Sequence, residues 1–203
     1  TPMNMPLIRR RGAPAAGALL LAAALLAGCA QVSHVQTGDV VLRERLTVTV
    51  DKPWNQFERG LADNTPTWTL DGFTVDALRF YVGLADGELI APTPSEPKGQ
   101  QPLAFKAGMR PAQVVALFET LYSRDGSTFT LDNLSPAPFA GGDGFRFEFS
   151  GVRKVDEVPL RGIGWGAVRD GRLYVITYTA PRLSFFERHR GSAEAIARSA
   201  RIR

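Results

Sequence analysis

The chain has 203 residues, 44% hydrophobic and 22% charged, with a formal net charge of +4 and one cysteine. That length and balance suit one ordinary globular domain and exclude wholesale disorder and collagen-like repeats. One cysteine and two histidines exclude an internal disulfide framework, an all-cysteine zinc site, an iron–sulfur cluster and a multi-histidine metal centre. No cofactor or metal is expected.

The sequence opens Thr-Pro-Met-Asn-Met, which makes Met3 or Met5 the expected initiator. Arg9, Arg10 and Arg11 then precede an apolar run from Ala13 to Ala27 and the string Leu26-Ala27-Gly28-Cys29. A basic start, an apolar centre and small residues before a cut define a secretory signal. As a helix, the run would reach only about 22 Å, short of a ~30 Å hydrocarbon core. Leu26-Ala27-Gly28-Cys29 resembles a bacterial lipobox, in which the peptidase cuts before a cysteine that carries a diacylglycerol. The chemistry needs a thiol as the alkylated nucleophile and small side chains before it, and the single cysteine falls at that position. The resemblance implies a signal peptide at 1–28 that is removed, a lipidated Cys29, and a tether over 29–39. Ala30 in place of Asp implies the periplasmic face of the outer membrane. Loss of 1–28 lowers Lys+Arg from 24 to 21 against 20 Asp+Glu, a net of +1, so the basic balance is no sign of nucleic acid. Local asymmetry survives, with nine arginines against three acids over 161–203. Such polarity suits anionic lipid or an envelope protein as partner; arginines decorating solvated faces are the plainer account.

A single domain is expected over 40–203. Val40–Val50 alternates like a strand, with Leu46, Val48 and Val50 on one face. Pro53–Phe57 reads as a turn or short helix ending near Gly60. Trp68–Leu70 enters an Asp71-Gly72 hairpin with a return strand over Phe73–Leu84, and Asp86-Gly87 turns into Glu88–Ala91. After a proline-rich loop over Pro92–Pro102 comes a helix that starts at Pro111. Val114, Val115, Leu117, Phe118, Leu121 and Tyr122 form its apolar face, and Asp125-Gly126 stops it. Strands follow at Thr128–Leu134 and Phe145–Phe149, with Ala140–Gly144 as a flexible loop. Gly162–Val168 and Arg172–Thr179 flank a third hairpin at Asp170-Gly171. A helix over Ser192–Ser199 and a short strand at Ala200–Arg203 close the chain. The fold class is therefore α+β, a mostly antiparallel sheet with helices packed on it.

The stretch from Tyr174-Val175-Ile176-Thr177-Tyr178-Thr179-Ala180-Pro181 to Ala195-Ile196-Ala197-Arg198-Ser199-Ala200 resembles the last strand and helix of PsbP-like α/β/α sandwiches. The resemblance covers roughly 30 residues and implies a fold shared by binding and assembly factors.

The residues themselves point to little chemistry. No Gly-x-Ser-x-Gly elbow occurs, and Asp125-Gly126-Ser127 is a turn. Gly162, Gly164 and Gly166 lack dinucleotide-fingerprint spacing and leave one strand face without side chains, which admits close packing or a ligand. Asp156-Glu157 after Arg153-Lys154 reads as an exposed mixed-charge turn. His34 falls in the tether, and His189 reads as a solvated histidine at a helix end. Adjacent Phe80 and Tyr81 must point to opposite faces of a strand. Tyr81, Trp165, Arg188 and His189 are the candidates for a binding surface. No catalytic residue is assigned. The expected function is a membrane-anchored, non-catalytic binding or assembly module of the cell envelope. The alternative is an envelope hydrolase with an unfamiliar site, for which His189 would need a carboxylate and a serine beside it.

Overall fold

The computed structural model describes residues 32–57, 65–92 and 102–203. The leader, Cys29 and most of the proline-rich loop lie outside the described residues. Among those described, the strands are β1 (Val32–Val35), β2 (Gly38–Leu42), β3 (Leu46–Val50), β4 (Trp54–Phe57), β5 (Thr67–Thr69) and β6 (Ala77–Leu84). Helix α1 (Pro111–Ser123) is followed by β7 (Thr130–Phe139), β8 (Gly142–Val152), β9 (Pro159–Arg169) and β10 (Arg172–Pro181). Helix α2 (Phe185–Ser199) and β11 (Arg201–Ile202) complete the domain.

An eight-stranded sheet runs in the order β1-β4-β5-β6-β10-β9-β8-β7, antiparallel throughout, and a second sheet runs β11-β3-β2. The period-two alternation of β10 explains the layering. Leu173 and Val175 face α1, while Tyr174, Ile176, Tyr178 and Ala180 face α2 and the small sheet. Both faces of the large sheet are therefore covered by apolar layers. On α1, Val114, Val115 and Phe118 are buried beside Tyr81 and the phenylalanines of β8. On α2, Phe186, His189, Ala193, Ile196 and Ala197 follow helical spacing into the opposite layer, which also holds Trp165 and Val48. Among the described residues no helix is long and apolar enough to cross a membrane.

The glycine face of β9 has a packing cause. Phe145, Phe147 and Phe149 on β8 stand opposite Gly166, Gly164 and Gly162. A Cβ at any of the three would overlap the facing phenyl ring. The rings lie flat across a strip that only hydrogen can line, which settles this stretch as close packing.

Several expectations are corrected. Residues 32–39, expected in the tether, belong to the fold: Val32–Val35 pairs with β4, and Gly38 and Asp39 pair with β3. His34 is thus held opposite Asn55 in a strand. The short polar string hides its strand character because an edge strand needs little apolar surface. Pro53–Phe57 gives strand β4, whose Trp54 is drawn into the core. Asp86-Gly87 does turn, but Leu89 bridges to Ala104, because β10 already occupies that edge of β6. Ala140-Gly141 is a tight hairpin turn with φ of 52° and 82°, the same device as Asp170-Gly171 at 49° and 70°. Helix α2 begins at Phe185, a full two turns before Ser192, on the strength of Phe186 and His189 facing inward.

Candidate functional site

Neither aromatic candidate is on the surface. Tyr81 is fully buried beneath α1, with its ring edge-on to Phe118 at 4.9 Å between centroids. Burial, with the Tyr122 phenol beside it, holds its hydroxyl well above the ordinary tyrosine range. Trp165 is 6% exposed in the opposite layer, against the buried face of α2. Sequence alternation assigns such residues to faces, and here helices cover both faces.

Arg188 and His189 do come together, with a partner from far along the chain. His189 is 8% exposed rather than solvated, and its Nε2 lies 2.7 Å from Asp71 Oδ2. Arg188 reaches the same oxygen at 3.6 Å while its guanidinium lies over the Phe185 ring at 4.9 Å. Tyr178 packs below, stacked on Phe186 at 5.6 Å. Burial and the carboxylates of Asp76 and Asp71 push its phenol above the ordinary range. The imidazole Nδ1 is buried without a hydrogen-bond partner, so no hydroxyl completes a hydrolytic triad on that nitrogen. The pair fastens the 70–76 loop to α2. Among the described residues no group of three or more His, Cys, Asp and Glu side chains could hold a metal ion.

The same loop is fixed from inside by Asp76. Its carboxylate accepts the Thr69 hydroxyl at 2.5 Å, the Leu70 N–H at 3.0 Å and the Asp71 N–H at 2.8 Å. Gly72, at φ +113°, donates in turn to Thr69 Oγ1 at 2.8 Å. The loop is therefore a small polar knot, and Phe73 and Val75 project from it.

Those two side chains form one wall of a pocket of about 200 Å³ on the α1 side of the sheet. Tyr122, Phe129 and Phe149 supply an aromatic wall, with Phe129 and Phe149 stacked at 4.6 Å. Its polar lining includes Arg79 of β6 and Thr179 of β10, bonded to one another at 3.2 Å. Next to them Tyr122 and Thr177 share a hydrogen bond of 2.9 Å. Arg153, Asp125 and Asp76 also line the pocket. Sequence reasoning missed Arg79 and Asp76. The available signal was a single charge inside the otherwise apolar run Ala-Leu-Arg-Phe-Tyr-Val-Gly-Leu.

Of the nine arginines over 161–203, four (Arg161, Arg188, Arg190 and Arg201) are ion-paired among the described residues. Arg190 bonds Glu194 at 2.9 Å and Arg201 bonds Asp39 at 2.8 Å, while Arg161 reaches Glu148 and Glu187. Arg182, Arg198 and Arg203 have no ion pair among the described residues.

No family model matches the chain, and no curated protein matches it in sequence. Among solved structures it is similar to the solution structure of the cyanobacterial PsbP protein, CyanoP, of Synechocystis. The TM-score is 0.54 at 10% identity, covering 87% of this chain and 95% of that one. The crystal structure of LpqN, involved in cell envelope biogenesis of Mycobacterium tuberculosis, aligns with a TM-score of 0.34 at 12% identity. That alignment covers 90% of this chain and 96% of LpqN. The first likeness shows a PsbP-like fold, as the last strand and helix of the sequence imply.

Proposed function

We propose that the protein is a lipid-anchored binding module of a bacterial cell envelope, held by a diacylglycerol on Cys29 at the periplasmic face of the outer membrane. The observation that carries this reading is the string Leu26-Ala27-Gly28-Cys29 closing an arginine-led apolar segment, with no other cysteine in the chain. Its ligand site is the pocket beside Arg79, built on rigid strands and shut on one side by a hydrogen-bonded loop. Cys29 stands three residues before Val32 of β1, a covalent reach of about 10 Å at most. An anchor there keeps the domain against the bilayer surface instead of on a long leash. Two or three acyl chains on one cysteine give stable attachment, which a single chain does not.

Metabolic labelling with a clickable fatty acid tests the anchor. The wild-type chain takes the label and sediments with membranes, and Cys29→Ser does neither. Equal labelling of the two would refute it. A second reading, an envelope hydrolase, draws on the Asp71–His189 pair. It requires that His189→Ala abolish an esterase or amidase activity of the purified chain while leaving its melting temperature nearly unchanged.

A further inference from the structure

We infer that the pocket takes an organic anion, a carboxylate or phosphate monoester carried on one flat apolar ring, with Arg79 as its counter-charge. This rests on the reading of the pocket as the ligand site. The argument starts from the charges that line it. Arg153 is committed, donating to both oxygens of Asp156 at 2.8 and 2.7 Å and to the Thr74 carbonyl at 2.7 Å. Asp76 has both oxygens occupied by the loop, and Asp125 accepts the Ser127 N–H at 2.9 Å. Arg79 differs from all of these. One of its terminal nitrogens donates to Thr179 Oγ1, its Nε is buried without a hydrogen-bond partner, and it forms no ion pair among the described residues. A half-buried guanidinium without a counter-charge is costly, and its planar fork matches a carboxylate or phosphate. Such an anion neutralises that charge.

The walls choose what carries the anion. Tyr122, Phe129 and Phe149 stack with interplanar angles of 7°, 28° and 22°, a nearly flat aromatic surface. Phe73 and Val75 close the opposite side. A dry cavity of about 150 Å³ accepts benzene, so about 200 Å³ accommodates one ring with its anionic group. The Tyr122 hydroxyl, which lines the pocket and is held by Thr177 at 2.9 Å, is a neutral polar group on that wall.

Calorimetric titration of the full chain in detergent tests this with benzoate, phenyl phosphate, dihexanoyl phosphatidate and the neutral isostere benzamide. Benzoate and phenyl phosphate should bind at one site, and benzamide should be weaker by about tenfold or more. Arg79→Met should weaken the two acids by a similar factor and leave benzamide unchanged, and Arg79→Lys should recover part of the loss. Phe129→Ala should weaken benzoate and benzamide alike. Phenyl phosphate should bind more tightly than phosphatidate, which has no ring, and the reverse order would overturn the assignment of the walls to a ring. Equal binding of benzoate and benzamide, undiminished acid binding by a folded Arg79→Met, or no saturable binding of any acid at millimolar concentration would overturn the inference. Repeating the titration on Cys29→Ser keeps the two questions apart. Retained binding without fatty-acid label sinks the anchor alone, and label without binding sinks the pocket alone.

Discussion

Gly164→Ala is the sharpest test of the packing between β8 and β9. Gly164 sits opposite Phe147, and an added Cβ overlaps two atoms of that ring. The ring has no room to slide. Phe145 and Phe149 stand at 6.3 and 6.0 Å along the same face, and Phe118 of α1 closes over it at 5.8 Å. A substitution that cannot be relieved locally belongs near the top of the overpacking range, about 3 kcal/mol. Alanine stiffens the unfolded chain, which returns roughly 0.5–1 kcal/mol where the backbone is compatible. The net loss is then about 2 kcal/mol, or a fall in Tm of about 4–8 °C for a domain of this size. Gly191→Ala is the matched control, since that glycine is an exposed position of α2 with nothing within 4 Å of its Cβ. Helix propensity there should raise stability by about 1 kcal/mol. Circular-dichroism melts of the two variants should therefore move in opposite directions. Phe147→Leu, which removes the overlapping ring edge, should cost less in the Gly164→Ala background than in the wild type. A Gly164→Ala chain that melts with or above the wild type would show that the rings do not lie on the glycine strip.

Phe118→Ala, a truncation of a fully buried side chain under α1, should cost about 3–5 kcal/mol in denaturant unfolding, whereas exposed Glu119→Ala should stay within about 0.5 kcal/mol. Gln113 is no neutral control for that helix, because its side-chain oxygen accepts the Arg110 N–H at 3.0 Å and caps the first turn. Asp76→Ala should destabilise by about 2–4 kcal/mol, because it strands the Thr69 hydroxyl and two backbone N–H groups, and amide exchange should rise first at Leu70 and Asp71. Asp39 is held below its ordinary pKa of 3.8 by the hydrogen bonds from Thr49 and Arg201, and Asp156 likewise by Arg153. A depressed carboxylate stabilises the fold above its unfolded pKa and loses that contribution as pH falls through the folded value, so this part of the stability should disappear below pH 3.8. Arg201→Ala should flatten the acid limb of a Tm–pH curve, and an unchanged limb would refute the assignment.

Local signals carried much of the fold. Asp170-Gly171 announced its hairpin because both residues take positive φ, and Pro111 with Val114, Val115 and Phe118 announced α1. Ala140-Gly141 makes the same turn as Asp170-Gly171, yet alanine gives no warning of a positive φ. β4 and β1 were hidden for another reason: strands of four residues are too short for periodicity to show and acquire their form from their partners. The site was less legible still. Arg188 and His189 could be picked out as polar residues near a helix, but Asp71 lies 118 residues from His189 and reads locally as a turn residue. Nothing in a string of letters states which aspartate the histidine will meet. Arg79 was passed over because a charge at one position of a strand is ordinary, and only pairing with β10 makes it a pocket residue.

The two polar clusters are connected through one loop, and the connection follows from strand geometry. Successive residues of β10 point to opposite faces, so Thr179 lines the Arg79 pocket while Tyr178 lies against Phe186 of α2. The 70–76 loop crosses the end of the sheet between those faces. Asp71 at its start pairs with His189 on the α2 side, and Asp76 at its end lines the pocket on the α1 side. Asp76 also binds the Asp71 N–H, so the backbone that carries one carboxylate is held by the other. The Asp71–His189 contact and the Phe73 and Val75 wall of the pocket are therefore joined by one hydrogen-bonded loop. The histidine that would be the catalytic base of a hydrolase is, in this arrangement, tied to a loop whose far side lines the pocket.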